Sequence, residues 1–223
     1  MKTKRCVHVL DLVGLVNYVR AWDMQRAYME DVRSGRMGGV VMLLEHPHVY
    51  TLGRRGKDTD VLLDGAALER LGVQVHHVDR GGEATYHGPG QLVAYPILDL
   101  RRWGGGPVKY VRALEEALIR TLGDWGIAGR RESGLPGVWV GQEKIAFVGV
   151  RISGGITCHG ISLNVNSDLS FYGHIVPCGI AGLGVTSMER ITGASADMAA
   201  VKRAFVRHLG DVMGLEMKWP PSP

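Results

Sequence analysis

Cysteine is scarce in this chain. Cys6, Cys158 and Cys178 are an odd set of three in 223 residues, and none stands in Cys-x-x-Cys spacing. That spacing argues against a disulfide framework and a zinc site, and it fits a reducing, cytoplasmic setting. Long apolar runs are missing too. The longest, Val40-Val41-Met42-Leu43-Leu44, is far short of a membrane span. No targeting segment is expected: His8 and Asp11 break up the residues after the basic N-terminus, and no small-residue cleavage site follows. Neither sign of charge dominates, the formal net charge being +4. That balance and the absence of a basic run or an aromatic-basic motif give no support to nucleic-acid binding, while a mildly basic surface suits an acidic protein partner. There is no internal repeat, no low-complexity tract and no G-x-x-x-x-G-K-[ST] phosphate loop.

With 45% hydrophobic and 22% charged residues, the chain can bury a sizeable core. A single domain over residues 1–223 is expected. Residues 5–13 read as a strand, and a helix follows from about Leu15 to Arg33. Tyr18, Trp22, Gln25, Met29 and Val32 recur at four- and three-residue steps and make its core face. Gln25 is the odd member, placed to reach a ligand or a buried backbone group. Val40–Glu45 reads as a buried strand, 54–60 as an exposed loop, 64–71 as a short helix and 73–78 as a half-buried strand. Leu92–Leu98 reads as a strand that Pro96 marks as an edge or bulge. Pro107 opens a helix lined by Val108, Val111, Leu114, Leu118 and Leu122. Strands joined by tight turns occupy 137–165, and a helix capped by Ser195 closes the chain. Strands and helices do not alternate regularly, which predicts an α+β fold with helices against a mainly antiparallel sheet.

Several stretches carry candidate chemistry, each with a plainer alternative. Cys178 lies in Ile175-Val176-Pro177-Cys178-Gly179-Ile180, between a residue that fixes the backbone and one that frees it. That suits an exposed nucleophile, whereas most free cysteines are buried and inert. Arg80-Gly81-Gly82-Glu83-Ala84-Thr85-Tyr86-His87-Gly88-Pro89-Gly90-Gln91 reads either as a surface connection or as a loop that approaches a ligand closely. His46 and His48 flank Pro47 without Cys or carboxylate partners at ligand spacing, so a strand-end loop beside the cleft is expected there and no metal site. Lys144 opens an otherwise apolar strand. It is either solvated at the strand end or turned toward Cys178, where an ammonium favours the thiolate. His87, His159 and His174 are competing partners, and spacing does not choose among them.

The runs Arg80–Gln91, Lys144-Ile145-Ala146 with Gly149-Val150-Arg151, His159-Gly160 with Leu163-Asn164, and Ile175–Ile180 followed by Val185-Thr186-Ser187 closely resemble the octanoyltransferase family of lipoate synthesis. The resemblance spans Tyr18 through Ser187. It implies a biotin/lipoyl-protein-ligase-like fold, and transfer of an octanoyl group from octanoyl-acyl carrier protein to a lysine of lipoyl domains. Those acceptors are the E2 subunits of 2-oxoacid dehydrogenases and the glycine cleavage H protein. By motif, Cys178 becomes the acyl-thioester nucleophile and Lys144 its activating partner. The substrate-binding residues so implied are Arg80, Gly81, Gly82, Glu83, Ala84, Thr85, Tyr86, His87, Phe147, Val148, Gly149, Gly160, Ile161 and Ser162. Gly82, Gly149 and Gly160 are expected to leave room for an apolar tunnel, with backbone N–H groups near Gly179 or Arg80–Gly82 for an oxyanion. Phe147 is bulky for a wall of that tunnel, and Cys158 is read as structural. No metal or other cofactor, no nucleic acid and no membrane is implied, and a monomer is expected. The rival readings are an ATP-dependent lipoate–protein ligase on the same fold, a non-catalytic carrier-binding protein, and a Cys hydrolase.

Overall fold

The computed structural model describes residues 5–220; residues 1–4 and 221–223, the two ends of the expected domain, lie outside it. Apolar patterning sets its layers. Along β2 (Gly39–Glu45), Val41 and Leu43 face one core while Val40, Met42 and Leu44 face another. The strand is buried on both sides, which is why its sequence is a continuous apolar run without alternation. β6 (Gln91–Leu98) does the same, sending Leu92 and Ala94 to one side and Val93, Tyr95 and Ile97 to the other.

These two strands sit inside an eight-stranded sheet of order β11-β1-β2-β6-β10-β9-β8-β7. Its other members are β1 (Arg5–Leu15), β7 (Arg130–Glu132), β8 (Leu135–Val140), β9 (Glu143–Ser153), β10 (Ile156–Asn164) and β11 (Leu215–Lys218). Pairing is parallel on both sides of β1 and antiparallel from β2 to β7. α1 (Tyr18–Arg33) packs Ala21, Met29 and Val32 on one face. The other face is covered by α4 (Pro107–Gly123) and α6 (Met198–Met213). A three-stranded sheet, β4-β3-β5, is built from β3 (Val49–Leu52), β4 (Gln74–His77) and β5 (Ala84–His87). The short helices are α2 (Gly65–Arg70), α3 (Leu100–Trp103) and α5 (Met188–Thr192). No helix among the described residues is long and apolar enough to cross a membrane.

Several local expectations are corrected. The first strand runs on to Leu15, and α1 starts at Tyr18 because the Asn17 side chain accepts from the backbone N–H of Val19 and Arg20. Asp197, not Ser195, caps α6, accepting from Ala199 N–H at 3.0 Å. β3 and β5 lie in stretches read as loops; each is four residues long and wholly buried, so it shows no alternation. β7 and β11 were not anticipated either.

Pro96 is not on an edge: β6 runs between β2 and β10. The ladder to β10 ends at Ala94↔Ile161, before the proline whose missing N–H would break it. Thr157 bridges the gap, its hydroxyl donating to Pro96 O at 2.7 Å and accepting from Leu98 N–H at 2.9 Å. Opposite, a Cβ on Gly160 would lie 2.1 Å from Ala94 O and 2.8 Å from Pro96 Cδ, so only glycine lets the two backbones approach.

His46 links β2 to the α1 entry. Its Nδ1–H donates to Val16 O at 2.6 Å, which leaves Nε2 to accept from the Tyr95 hydroxyl at 2.9 Å. Burial holds this imidazole down at about 4, against an ordinary 6.5. The unfolded chain therefore takes up a proton first as pH falls, and stability present above pH 6.5 is lost on the way to pH 4. The loss is on the order of 3 kcal/mol. His46→Gln removes this titration while keeping an N–H donor. The stability gap between wild type and variant in urea melts should close by about 3 kcal/mol between about pH 7 and about pH 4. A gap that does not change with pH would place the titration elsewhere.

Candidate active site

Cys178 sits at a doubled turn. Gly179 N–H donates to Val176 O, and Ile180 N–H to Pro177 O. Pro177 takes the first central position of the first turn and Cys178 the second, which requires positive φ; Cys178 adopts +57°. A non-glycine residue held in the left-handed region is strained, and such strain concentrates at functional positions. The turn is anchored by Cys178 N–H, which donates to Ala84 O at 3.2 Å. Its sulfur remains half-buried at the edge of a cavity of about 350 Å³.

Lys144 reaches that sulfur. Nζ donates to Cys178 Sγ at 3.4 Å, and the side chain is buried, with 2% exposure. Trp139 and Phe147 present their rings 5.4 Å and 4.9 Å from the ammonium. Two backbone bonds bring the segments together: Lys144 N–H donates to Gly184 O at 2.8 Å, and Thr186 N–H to Lys144 O at 3.0 Å. The segment that carries Cys178 is thus paired, a few residues on, to the strand that carries Lys144.

A β-bulge aims the lysine. Trp139 pairs with Lys144 and Val138 with Ala146, so Ile145 is an extra residue on β9. Strict alternation would set Lys144 beside Ala146 and Ile145 beside Phe147. Instead Ile145 and Ala146 both enter the main core, and Lys144 and Phe147 both line the cavity.

The three competing histidines are engaged elsewhere. His87 donates Nδ1–H to Gln91 Oε1 at 2.7 Å, while Gln91 Nε2 donates to Tyr86 O, Asn164 Oδ1 and the Tyr172 hydroxyl. Burial first, and then the nearby His46, keep His87 well below the ordinary histidine range and hence neutral. His174 shares a hydrogen bond with the Tyr50 hydroxyl. His159 donates Nε2–H to Asp79 at 2.7 Å; burial lowers its pKa and the Asp79 carboxylate opposes that shift. Among the described residues, none of the three shares a hydrogen bond with Cys178.

The Arg80–His87 stretch forms a cavity wall, with one exception. Tyr86 points away, fully buried, its hydroxyl bonded to His48 Nδ1 at 2.9 Å and its ring stacked on Phe171. The other members from Arg80 to His87 line the cavity, as do Phe147, Val148, Gly149, Gly160, Ile161 and Ser162. Arg80 braces this wall: its guanidinium donates to Thr51 O at 2.6 Å, Glu83 O at 2.8 Å and Gly81 O at 2.9 Å. Gly149, which lines the cavity, also makes room for Arg80, since a Cβ there would lie 3.1 Å from Arg80 Cδ. Gly160, as above, makes room for β6. Gly179 does not offer its N–H to an oxyanion, because Val176 O takes it. At the rim, Arg55 pairs with Glu83 at 2.6 Å in an exposed contact of small energy.

Some lining residues escaped the sequence reading. Tyr18 reads as core from its helical spacing, yet it lines the cavity, as does Tyr95. Gln25 resolves to the backbone alternative, accepting from His159 N–H at 2.7 Å. Asp79, Cys158 and His159 lie close enough to suggest metal ligands. Asp79, however, already accepts from His159 and pairs with Arg151, whose guanidinium would face any cation placed there.

Residues 17–210 match the family model described as the lipoyl protein ligase A/B catalytic domain. The chain belongs to this family. A curated relative in Solibacter usitatus, an octanoyltransferase, is 46% identical over 205 residues, covering 92% of each chain. Among solved structures, lipoate-protein ligase A bound with ATP superposes with a TM-score of 0.74 at 16% identity, over 98% of this chain and 89% of that one. A bipartite lipoate protein ligase of Thermoplasma acidophilum, described with its E2 lipoyl domain, gives 0.71 at 15% identity, over 97% and 86%. These two likenesses establish the fold.

Exposure separates Cys178, at the cavity edge, from Cys158, in the core. Cys158 is 2% exposed, and burial pushes its thiol up to about 12. Iodoacetamide at about pH 8 should therefore modify half-exposed Cys178 and spare Cys158 until the chain is unfolded. Peptide mapping by mass spectrometry reads the outcome, and native labelling of Cys158 at the unfolded rate would contradict it.

Proposed function

We propose that this chain, as one catalytic domain, is an octanoyltransferase of lipoate synthesis that works through a Cys178 acyl-thioester with Lys144 as its proton shuttle. The observation that carries the reading is the 3.4 Å contact between Lys144 Nζ and Cys178 Sγ at the edge of a cavity with apolar walls. The donor is octanoyl-acyl carrier protein. The acceptor is the target lysine of lipoyl domains, in E2 subunits and the glycine cleavage H protein.

In the first half-reaction Cys178 Sγ attacks the donor thioester carbonyl. A new C–S bond forms, the donor C–S bond breaks, and the proton from Cys178 reaches the departing thiol by way of Lys144. In the second, the neutral amine of the acceptor lysine attacks the enzyme thioester. An amide forms, the amine gives up a proton, and Cys178 leaves as the thiol again. Thioester exchange is near thermoneutral and aminolysis runs downhill, so neither step needs ATP. Burial of the acyl chain contributes about 0.8 kcal/mol per CH₂. Phe147, stacked on Tyr172 with ring centroids 5.3 Å apart, is a rigid part of that wall. With Gly179 N–H engaged by Val176 O and Gly81 N–H by Val150 O, Gly82 N–H and Lys144 are the groups left to face a developing oxyanion.

Wild-type protein incubated with octanoyl-acyl carrier protein should gain the mass of one octanoyl group, on Cys178. Cys178→Ala should gain none; an acyl adduct on that variant would remove the nucleophile assignment. Lys144→Ala should keep its melting temperature within a few degrees and slow acyl-enzyme formation by roughly 10²- to 10⁴-fold. Wild-type rates in it would reassign the shuttle. Pyrophosphate release from ATP and free octanoate, transferred onward without need of Cys178, would instead make the chain a ligase.

A further inference from the structure

Behind Lys144 lies a glycine that does not line the cavity. Gly137 lies on β8 opposite Phe147 and has a φ of +129°, in the region that favours glycine. A Cβ built on it would sit 2.6 Å from Lys144 Cε, 3.2 Å from Lys144 Nζ and 2.4 Å from Ala146 O. The methylenes of the lysine therefore run through the space that a side chain at 137 would fill. The same residue is held in place by a buried carboxylate: Gly137 N–H donates to Glu115 Oε1 at 3.0 Å, and Glu115 is 1% exposed. Its other oxygen is balanced by Arg112 at 2.8 Å and Arg131 at 3.2 Å.

Resting on the octanoyltransferase reading above, we infer that Glu115 and Gly137 form a positioning unit that fixes the Lys144 ammonium against Cys178. A carboxylate inside a helix–sheet interface needs hydrogen bonds to offset its burial, and this one has a backbone donor and two guanidinium partners. The bond to Gly137 ties α4 to β8 one residue before Val138, where the pairing with β9 steps around the extra Ile145. The channel left by the absent Cβ, the bulge and the buried acceptor together leave Lys144 one path, and it ends at the sulfur. Displacement of a proton-transferring group by about an ångström costs up to about 10²-fold in rate.

A double-mutant cycle on acyl-enzyme formation from an octanoyl thioester tests this. Gly137→Ala should slow the step by roughly 10- to 100-fold in the Lys144 background with KM unchanged, and by a several-fold smaller factor in the Lys144→Ala background, where only the contact with Ala146 O and the backbone strain remain. Equal losses in both backgrounds, or none in the first, overturn the inference. Should Gly137→Ala not fold, Glu115 carries the test. Glu115→Ala should lower the rate more than about tenfold and Glu115→Gln, which keeps an acceptor for Gly137 N–H, should restore most of it. Loss of rate in both Glu115 variants alike, or in neither, also overturns it. Wild-type activity in Lys144→Ala alone has a different meaning: it removes the role of Lys144 itself.

Discussion

The structure depends on one short piece of backbone pairing. Lys144 is held on one side by Trp139 of β8 and on the other by Gly184 and Thr186, so two stretches far apart in sequence share a strand-like edge. Thr186 O in turn accepts from Asn164 Nδ2, and Asn164 joins the Gln91–Tyr172–His87 network. Side-chain networks of this kind fix a geometry at the cost of requiring every member. The irregular segment that bears Cys178 therefore has a defined place although it has no long strand of its own. Where the backbone is pinned, the side chains at its ends meet without ordering two flexible arms at each turnover.

The sheet architecture explains why such a site lies at this end of the molecule. Between β2 and β10 the sheet is buried on both faces and leaves little space for a ligand. Past β10 the layering changes: β9 passes from the main core to the small sheet's core, Ile145 and Ala146 belonging to the first and Phe147 to the second. The cavity opens along that boundary. Its walls come from several pieces of chain: the Arg80–His87 wall, β9 with β10, the Cys178 turn, Tyr18 of α1, Tyr95 of β6 and residues 134–136. The bulge at the boundary turns two neighbouring residues, Ile145 and Ala146, into the same core, and so brings Lys144 and Phe147, on either side of them, to the cavity.

What could be read from sequence follows from how local each feature is. The buried strand at 40–44 announces itself as an unbroken apolar run, and the helix from Pro107 by its three- and four-residue spacing, although Val108, expected on its inner face, is exposed. Cys178 was marked by its Pro and Gly neighbours, which are the residues its turn pair demands. The side-by-side placement of Lys144 and Cys178 was not readable, because it rests on an extra residue at Ile145 with no signature in a uniformly apolar stretch. β3 and β5 were hidden for a related reason: Tyr50 and Tyr86 pair across the small sheet, but four wholly buried residues give no alternation to detect. Pro96 misled because Pro96 O and Leu98 N–H, which the interrupted ladder leaves without partners on β10, are satisfied by a side chain, Thr157, sixty-odd positions on. Tyr18 was placed on the core face of its helix, correctly, and that core face also forms a wall of the cavity.

Charge placement gives the site its chemical character. Lys144 and Arg80 are both buried beside the cavity, and among the described residues neither forms a salt bridge. Arg80 is satisfied by carbonyls and the Thr51 hydroxyl, and Lys144 by a sulfur and two aromatic faces. Burying a cation is costly unless its donors are used, and neutral acceptors use the donors while leaving the positive field in place. Carboxylates at those positions would have cancelled the field. The carboxylate that does lie behind Lys144, Glu115, is faced by two arginines and directs its free oxygen to a backbone N–H. The arrangement thus keeps positive charge toward the sulfur, with Glu115 on the far side of β8 and Glu83 of the cavity wall paired to Arg55. That polarity favours negative charge at the sulfur end of the cavity.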